Sequence, residues 1–457
     1  MGRGARADWR GTLTPRGWGF AAAAAMVLVS AQVMGRRDLL HLAVFLALIP
    51  AAALVSNLLI RPSMSVRREP RPEVVEAGQL TEVALSLAHS GILSGRMSMA
   101  EQLPASLGTG PAFVYPGRSI SRDGSSNYRY ELGCPRRGVF SLGPVEARHT
   151  DPFGLAERHS RIGSSTRLTV TPAAVPLAAS VLSGVRGAEG AVAARIQSMP
   201  SDDDVMTREY RHGDPMRRVH WAATARHGEL MVRQEESAVS PEATLVVDLR
   251  RPAFSQAGHN DSGGPDTPTF EWAVTAVMSI AAHLSERGYA LRLLEPAGGL
   301  ALAHSASAPE PDAPDYSGRD GLAMVAEGLA AIAPLEGSGG TEGFSDRLLD
   351  RLEGHRHRGP IVAVLGRTTR EDARQLATAA SFAERALAII VTPRAGSSRE
   401  AVEALRDSGW LAIEATPRSS VARVWTALTA ATAGPGTGQS PAYEGRRDGG
   451  GEERSSA

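Results

Sequence analysis

The chain has 457 residues with 49 basic and 49 acidic side chains, so its formal charge is zero, and that balance removes any global electrostatic case for a polyanion partner. Every basic residue is arginine and none is lysine, which excludes P-loop nucleotide hydrolysis, protein-kinase chemistry and Schiff-base catalysis, since each needs a lysine amine. The lone cysteine, Cys134, forbids an internal disulfide or a cysteine-rich zinc site and fits a reducing compartment, while the length implies two or three folded units.

Residues 1–17 read as an N-terminal tail. Two apolar runs follow, 18–34 and 39–60, each near the roughly 20 residues that cross a bilayer's hydrocarbon core. Only "GRRD" separates them, so the region 18–60 reads as a transmembrane helical hairpin and not as a signal peptide. His41 and Asn57, its strongly polar side chains, sit near helix ends and suit interfacial or helix-helix contacts. Arg3, Arg6, Arg10 and Arg16 precede the hairpin and Arg61, Arg67, Arg68 and Arg71 follow it, against Arg36 and Arg37 between the helices. This bias favours both termini in the cytoplasm, and hence a two-pass protein of the inner (plasma) membrane.

Residues 65–172 carry strand signals: short alternating stretches at 81–89, 126–133, 138–148 and 166–172, separated by Gly, Pro and Ser turns. They predict a β-rich, sandwich-like domain. "AFVYPGR" (112–118) and "HTDPFGLAER" (149–158) place aromatics beside turn residues and read as loops pinned to a core edge. Residues 173–240 read as a linker that carries the most unusual stretch of the chain.

From about 241 to 432 the pattern alternates strand and helix. Apolar runs at 243–250, 290–296, 360–366, 385–393 and 410–416 are spaced by segments with helical periodicity. Parallel neighbours need a crossover, so this spacing predicts a doubly wound parallel α/β sheet. Segments 255–268 and 304–318, rich in Gly, Pro and Ser, read as flexible loops, and 433–457 as a disordered tail.

The unusual stretch is "REYRHGDPMRRVHWAATARHGELMVRQEE" at 208–236. Asp214 suits an N-cap, Pro215 the first helical position and Gly228 a left-handed end, so a helix over about 215–227 is expected, followed by a strand at 229–235. Its six arginines face five acidic residues, too even a balance for a nucleic-acid surface, so no nucleic-acid partner is expected. Thr224 falls in mid-helix, and His220 and His227 are two turns apart with no cysteine nearby, so neither catalysis nor metal binding is indicated. Arginine's planar fork suits carboxylate pairing and aromatic stacking. Arg208, Tyr210, Arg211, Gly213, Asp214, Arg217, Trp221, Arg226 and Arg233 are therefore the candidate interaction or domain-junction residues, with Trp221 as apolar anchor. An internal joint and a partner-read surface both remain open.

This stretch closely resembles the signature of a bacterial membrane protein family known as domain of unknown function 58, with Arg-x-Tyr, then Gly-Asp, Arg and Trp, then Ala-Arg and "LMVR". "FVYP" and "RRGVFSLGPVEARHTDPFGL" look like its upstream blocks, and the hairpin sits where that family has one. The resemblance implies a two-helix anchor, a β-rich domain and a C-terminal domain similar to von Willebrand factor type A. It also implies the company of MoxR-type AAA ATPases and transglutaminase-like membrane proteins.

A type A domain often holds a divalent cation through Asp-x-Ser-x-Ser after its first strand. Here the stretch is Asp248, Leu249, Arg250, Arg251, Pro252. Arginine and proline replace the hydroxyls and oppose a cation. Asp248 is thus a degenerate position, expected to end a strand and pair with a neighbouring arginine, and no metal or other cofactor is expected. These readings together describe a membrane-anchored, cytoplasm-facing adaptor for protein assembly, not an enzyme. The alternative is an enzyme or receptor with a site at the carboxyl ends of the strands, around Asp248, 366–369 and Thr392.

Overall fold

The computed structural model describes residues 10–59, 63–90, 96–115, 123–179, 207–210, 219, 221–233, 241–254, 267–335, 344–353 and 359–430. The tail 433–457 and most of the loop 255–268 lie outside the described residues.

Strand β1 (Arg10–Leu13) leads into helix α1 (Pro15–Met34). Thr14 caps the helix by accepting from the Gly17 N–H, Pro15 takes the first helical position, and Gly35 ends the helix at φ 65°. Helix α2 (Arg37–Leu59) returns alongside it. Both helices are long and apolar enough to cross a membrane, and only 17% of each window is buried within the protein. Strand β1, before α1, pairs antiparallel with β10 (Ala156–Ile162), beyond α2. The hairpin therefore leaves and re-enters one face of the β-rich domain.

That domain also contains β2 (Ser63–Arg71), β3 (Val74–Glu76), β4 (Leu80–Ser90), β5 (Arg96–Glu101), β6 (Ala112–Tyr115), β7 (Asp123–Gly133), β8 (Gly138–Leu142), β9 (Val145–Thr150) and β11 (Thr166–Thr171). The sheet β2-β4-β7 faces two others, β1-β10-β9-β5-β6 and β3-β11-β8. Alternate residues of β4 are buried, as a strand with one solvated face requires. Leu85 and Leu87 pack with Met97, Met99, Val145 and Ala147, and Val83 with Leu142, Leu168 and Val170, so two cores fill one sandwich.

Two segments expected to be loops differ. Residues 112–115 form β6, because Phe113 stacks on Tyr128 with centroids 4.4 Å apart and the backbone pairs with β5. In 149–158, residues up to Thr150 and from Ala156 are strand, and the turn between them leaves Phe153 74% exposed. The Asp151 carboxylate accepts from the N–H groups of Phe153 and Leu155 (2.8 and 2.7 Å) and of Ala156, which turns Leu155 inward and Phe153 outward.

A buried ion pair crosses the sandwich. Arg68 Nε donates to Glu101 Oε1 at 2.5 Å, with side chains 1% and 0% exposed, and Arg68 Nη1 donates to the Ser164 carbonyl. Burial pushes the Glu101 carboxyl up and Arg68 pulls it down, burial being the larger effect. Gly143, at φ +87°, is needed here, since a Cβ would meet Arg68 Cζ at 2.4 Å. Arg68→Met strands the Glu101 charge and is expected to cost about 3–5 kcal/mol. The double variant Arg68→Met/Glu101→Gln should recover most of that loss in urea unfolding.

The α/β unit comprises β14 (Glu242–Val247), a helical turn (Arg251–Phe254), β15 (Ala290–Leu294), β16 (Ile361–Leu365), β17 (Ala386–Val391) and β18 (Leu411–Ala415), all parallel in the order β15-β14-β16-β17-β18. It follows a short hairpin of β12 (Thr207–Glu209) and β13 (Met231–Arg233) that brackets helix α3 (Trp221–His227). The remaining helices are α4 (Pro268–Ser285), α5 (Gly318–Ala330), α6 (Asp346–Glu353), α7 (Arg370–Ala377), α8 (Arg399–Asp407) and α9 (Val421–Ala430). Leu245, Val362 and Ile389 pack with α4, α5 and α9 on one face, while Val246, Ala363 and Ile390 pack with α6, α7 and α8 on the other. With both faces covered, the strands read as unbroken apolar runs.

Residues 304–318 are held in place and are not a free loop. Ser305 Oγ donates to the Gly328 carbonyl at 2.5 Å, Ser307 Oγ accepts from the Ala331 N–H at 2.9 Å, and Tyr316 exchanges backbone hydrogen bonds of 2.8 Å with Leu291. Polar side chains thus cap the end of α5, whose carbonyls would otherwise be unpaired.

Candidate functional site

Three places carry chemistry: the arginine-rich hairpin, the carboxyl ends of the parallel strands, and the contact between the two folded units. In the hairpin, Arg208 sits opposite Val232, Thr207 opposite Arg233, and the Tyr210 N–H donates to the Leu230 carbonyl at 2.8 Å. Gly228, at φ 77°, ends α3, and Thr224 Oγ1 accepts from the Met231 N–H at 3.0 Å, folding the helix back on β13. Val219 bridges to Val232, and both are buried. The described part of the helix runs Trp221–His227; the start expected near 215, with its cap at Asp214, lies outside the described residues.

Among the sequence-selected residues, Arg208, Tyr210, Trp221, Arg226 and Arg233 thus come together in one small unit. Arg211, Gly213, Asp214 and Arg217 lie outside the described residues. Trp221 stands 65% exposed at the start of α3, so it does not anchor a buried core, and Arg226 is exposed with it.

The contact between the units is made by Arg137, in the turn between β7 and β8. Its Nε and Nη2 grip both oxygens of Glu271 on α4 at 2.9 and 2.8 Å. Its Nη1 caps the end of α5 through the carbonyls of Leu329, Ala330 and Ile332 at 2.6, 3.2 and 2.9 Å, and Cζ lies 5.6 Å from the Phe270 ring centroid. The chain after β11 reinforces this contact, with the Val175 N–H donating to Ser279 Oγ at 2.9 Å and Ala174 and Leu177 packed on the α/β core. The arginine-rich stretch, whose joint and partner-surface readings are both open, stands out in the sequence, whereas Arg137 does not. The signal was "CPRRGVF", a pair of arginines in a tight turn, but such a pair ordinarily faces solvent.

At the strand ends, Asp248 follows β14 and is fully buried. Arg250 Nε and Nη2 each meet one of its oxygens at 3.0 Å, and the backbone N–H groups of Arg250 and Gly366 add contacts of 3.0 and 3.1 Å. Arg250 Nη1 reaches Asp372 on α7 at 3.5 Å, and its Cζ lies 5.2 Å from the Phe344 ring centroid. Burial pulls the guanidinium pKa down, but the Asp248 hydrogen bonds and charge, joined by Asp372, hold it above the ordinary arginine value. Asp248 therefore does pair with a neighbouring arginine. A divalent cation does not fit at this position: both carboxylate oxygens are taken, and a fixed positive charge sits where the ion would bind. Among the described residues, no cluster of three or more His, Cys, Asp or Glu side chains could hold a metal.

The nearby Thr392 and Glu414 serve the loop after β17. Glu414 accepts from Thr392 Oγ1 at 2.7 Å and from the N–H groups of Gly396 and Ser398 at 2.6 and 3.0 Å. The Thr392 hydroxyl is fully buried and its hydrogen bonds go to Glu414 and the Arg394 carbonyl, so the pair ties the loop down as a structural cap.

An apolar helical hairpin, a sheet-rich domain and a parallel α/β unit whose first-strand aspartate is neutralised by arginine define the class of protein. Residues 206–424 match the family model described as "Protein of unknown function DUF58", which supports that family for the arginine-rich hairpin and the α/β unit. No curated protein matches the chain. The CARDB domain of a Pyrococcus furiosus protein, solved in complex with di-metal ions, is 11% identical over 24% of this chain and 88% of its own, with a TM-score of 0.17. Cwp6 from Clostridium difficile is 7% identical over 78% of this chain and 52% of its own, with a TM-score of 0.12. At these TM-scores neither likeness bears on function.

Proposed function

We propose that the protein is a membrane-anchored adaptor for protein assembly, held at the inner face of the plasma membrane with both termini cytoplasmic. The observation that carries this reading is the division of labour between two arginine sites. Arg137 joins the folded units, while the arginine-rich hairpin keeps Trp221 65% exposed. Tryptophan and arginine are among the residue types most enriched at interface hot spots, and Trp221 and Arg226 are both exposed on this short helix. The hairpin is therefore a surface read by a partner, and the family resemblance points to a MoxR-type AAA ATPase, in company with a transglutaminase-like membrane protein.

Further support comes from the sheets. The pairing of β1 with β10 puts the N-terminal segment and the β-rich domain on the same side of the hairpin, as the arginine bias requires. Tyr316 bridges antiparallel to β15, so the parallel sheet acquires an antiparallel margin next to its second strand, in keeping with a type A-like domain. A ligand-binding or catalytic site at the switch point between β14 and β16 is the competing class, and the Arg250-Asp248 pair speaks against it by filling the crevice.

The test is retention of a MoxR-type ATPase of the same organism by detergent-extracted full-length protein. Wild type should retain it, and Trp221→Ala/Arg226→Ala should lose at least about tenfold, the effect of roughly 1.4 kcal/mol. Equal retention by the folded double variant would overturn the reading.

A further inference from the structure

Where the hairpin enters the β-rich domain, the surfaces of α1 and α2 and the 151–155 turn border an open cavity of about 610 Å³. Its walls are formed chiefly by Phe20, Ile49, Ala52, Ala53, Phe153 and Leu155. The turn is fixed to the helix start. The Thr14 N–H donates to the Leu155 carbonyl at 2.9 Å, Thr14 Oγ1 donates to the Gly154 carbonyl at 2.7 Å, and a Cβ on Gly17 would stand 2.2 Å from the Leu155 carbonyl oxygen. Ala53 packs with Leu155 and Ala156, and Arg158 donates to the Asn57 carbonyl at the end of α2. The cavity is thus built into the joint between hairpin and domain and does not depend on closure of a mobile segment.

We propose that this cavity seats an acyl chain of an anionic phospholipid from the surrounding leaflet, with its headgroup phosphate beside Arg16. The inference rests on the membrane-anchoring reading. The cavity walls are continuous with helix surfaces that leave Trp18, Phe45, Val55 and similar side chains exposed, the kind of surface that a bilayer's acyl chains cover in the anchored reading. The mouth therefore opens into lipid, and its mostly apolar lining suits an acyl chain. Asp151, the one acidic group in the wall, is already occupied by three backbone N–H donors. Arg16 is exposed at the rim, with Nη1 3.9 Å from the position a Cβ on Gly154 would take, and a guanidinium fork matches a phosphate. Phe153 extends the apolar wall outward at the level of the headgroups.

The experiment reconstitutes the full chain in vesicles of phosphatidylglycerol and phosphatidylcholine, then counts phospholipids retained after mild detergent extraction by native mass spectrometry. Carbonate washing of the same vesicles reports anchoring. Wild type should stay in the pellet and keep one phospholipid, with phosphatidylglycerol preferred. Ala52→Trp, which fills the cavity from its exposed wall, should stay in the pellet and lose the retained lipid at least tenfold, as should Ser56→Trp one turn on. Arg16→Gln should keep a lipid but lose the preference for phosphatidylglycerol. Undiminished lipid on both tryptophan variants overturns the lipid site alone, whereas release of wild type by carbonate overturns the anchor and the lipid site together.

Discussion

Arg137→Ala is expected to separate the unfolding of the sheet-rich domain from that of the α/β unit. The side chain is 6% exposed and provides two bonds to Glu271 and three to the end of α5. Its loss leaves a partly covered carboxylate and the carbonyls of Leu329, Ala330 and Ile332 without their donor, at a cost of about 2–4 kcal/mol. Wild type should give one urea transition by circular dichroism, and the variant two, with earlier protease cleavage in the chain after β11. Lysine should not rescue, because a single ammonium cannot span both the carboxylate and the helix end. Glu271→Gln should cost less, since the three carbonyl contacts survive. A single unshifted transition in Arg137→Ala would show that the apolar contacts of Ala174 and Leu177 suffice.

The same residue shows which features a sequence exposes and which it hides. The runs "ALAIIV" and "IVAVL" announce doubly covered strands because every side chain in them is buried, and the hairpin helices announce themselves by length. Pairing is harder to see. Strand β1 has four residues, "RGTL", with no alternation to report, and exists because β10 offers it an edge. Residues 304–318 have the composition of a free loop, yet Ser305, Ser307 and Tyr316 are buried because the end of α5 and the margin of β15 need hydrogen-bond partners. At the arginine-rich stretch the chemistry was visible and the geometry was not. Capping signals at 214–215 fall outside the described residues, while Val219 bridges to Val232 and the indole of Trp221, which the composition suggests as an apolar anchor, stands outward. Asp248 is the reverse case, since the cation it meets among the described residues is two residues away in the chain and the pairing follows from adjacency.

Arg250→Ala is expected to have the second large effect. It removes the only side-chain cation that the fully buried Asp248 meets among the described residues and leaves two backbone N–H donors in its place. Stripping one partner from a buried pair costs about 3–5 kcal/mol. Asp372→Asn, at the 3.5 Å contact and 21% exposed, should cost about 1 kcal/mol or less. Because the truncation leaves the Asp248 and Asp372 carboxylates without the guanidinium that both contact, the variant should acquire a cation dependence that wild type lacks. Millimolar Mg²⁺ should raise the melting midpoint of Arg250→Ala and leave that of wild type unchanged, since a ligand at concentration c that binds the folded state stabilises it by RT ln(1 + c/Kd). If wild type is stabilised by Mg²⁺ and Asp248→Ala abolishes the response, the guanidinium does not fill the crevice and the receptor reading gains its footing. If neither protein responds, then Asp248 lacks the further oxygens a hard cation needs even when uncovered, because Arg251 and Pro252 stand where a binding site would have hydroxyls.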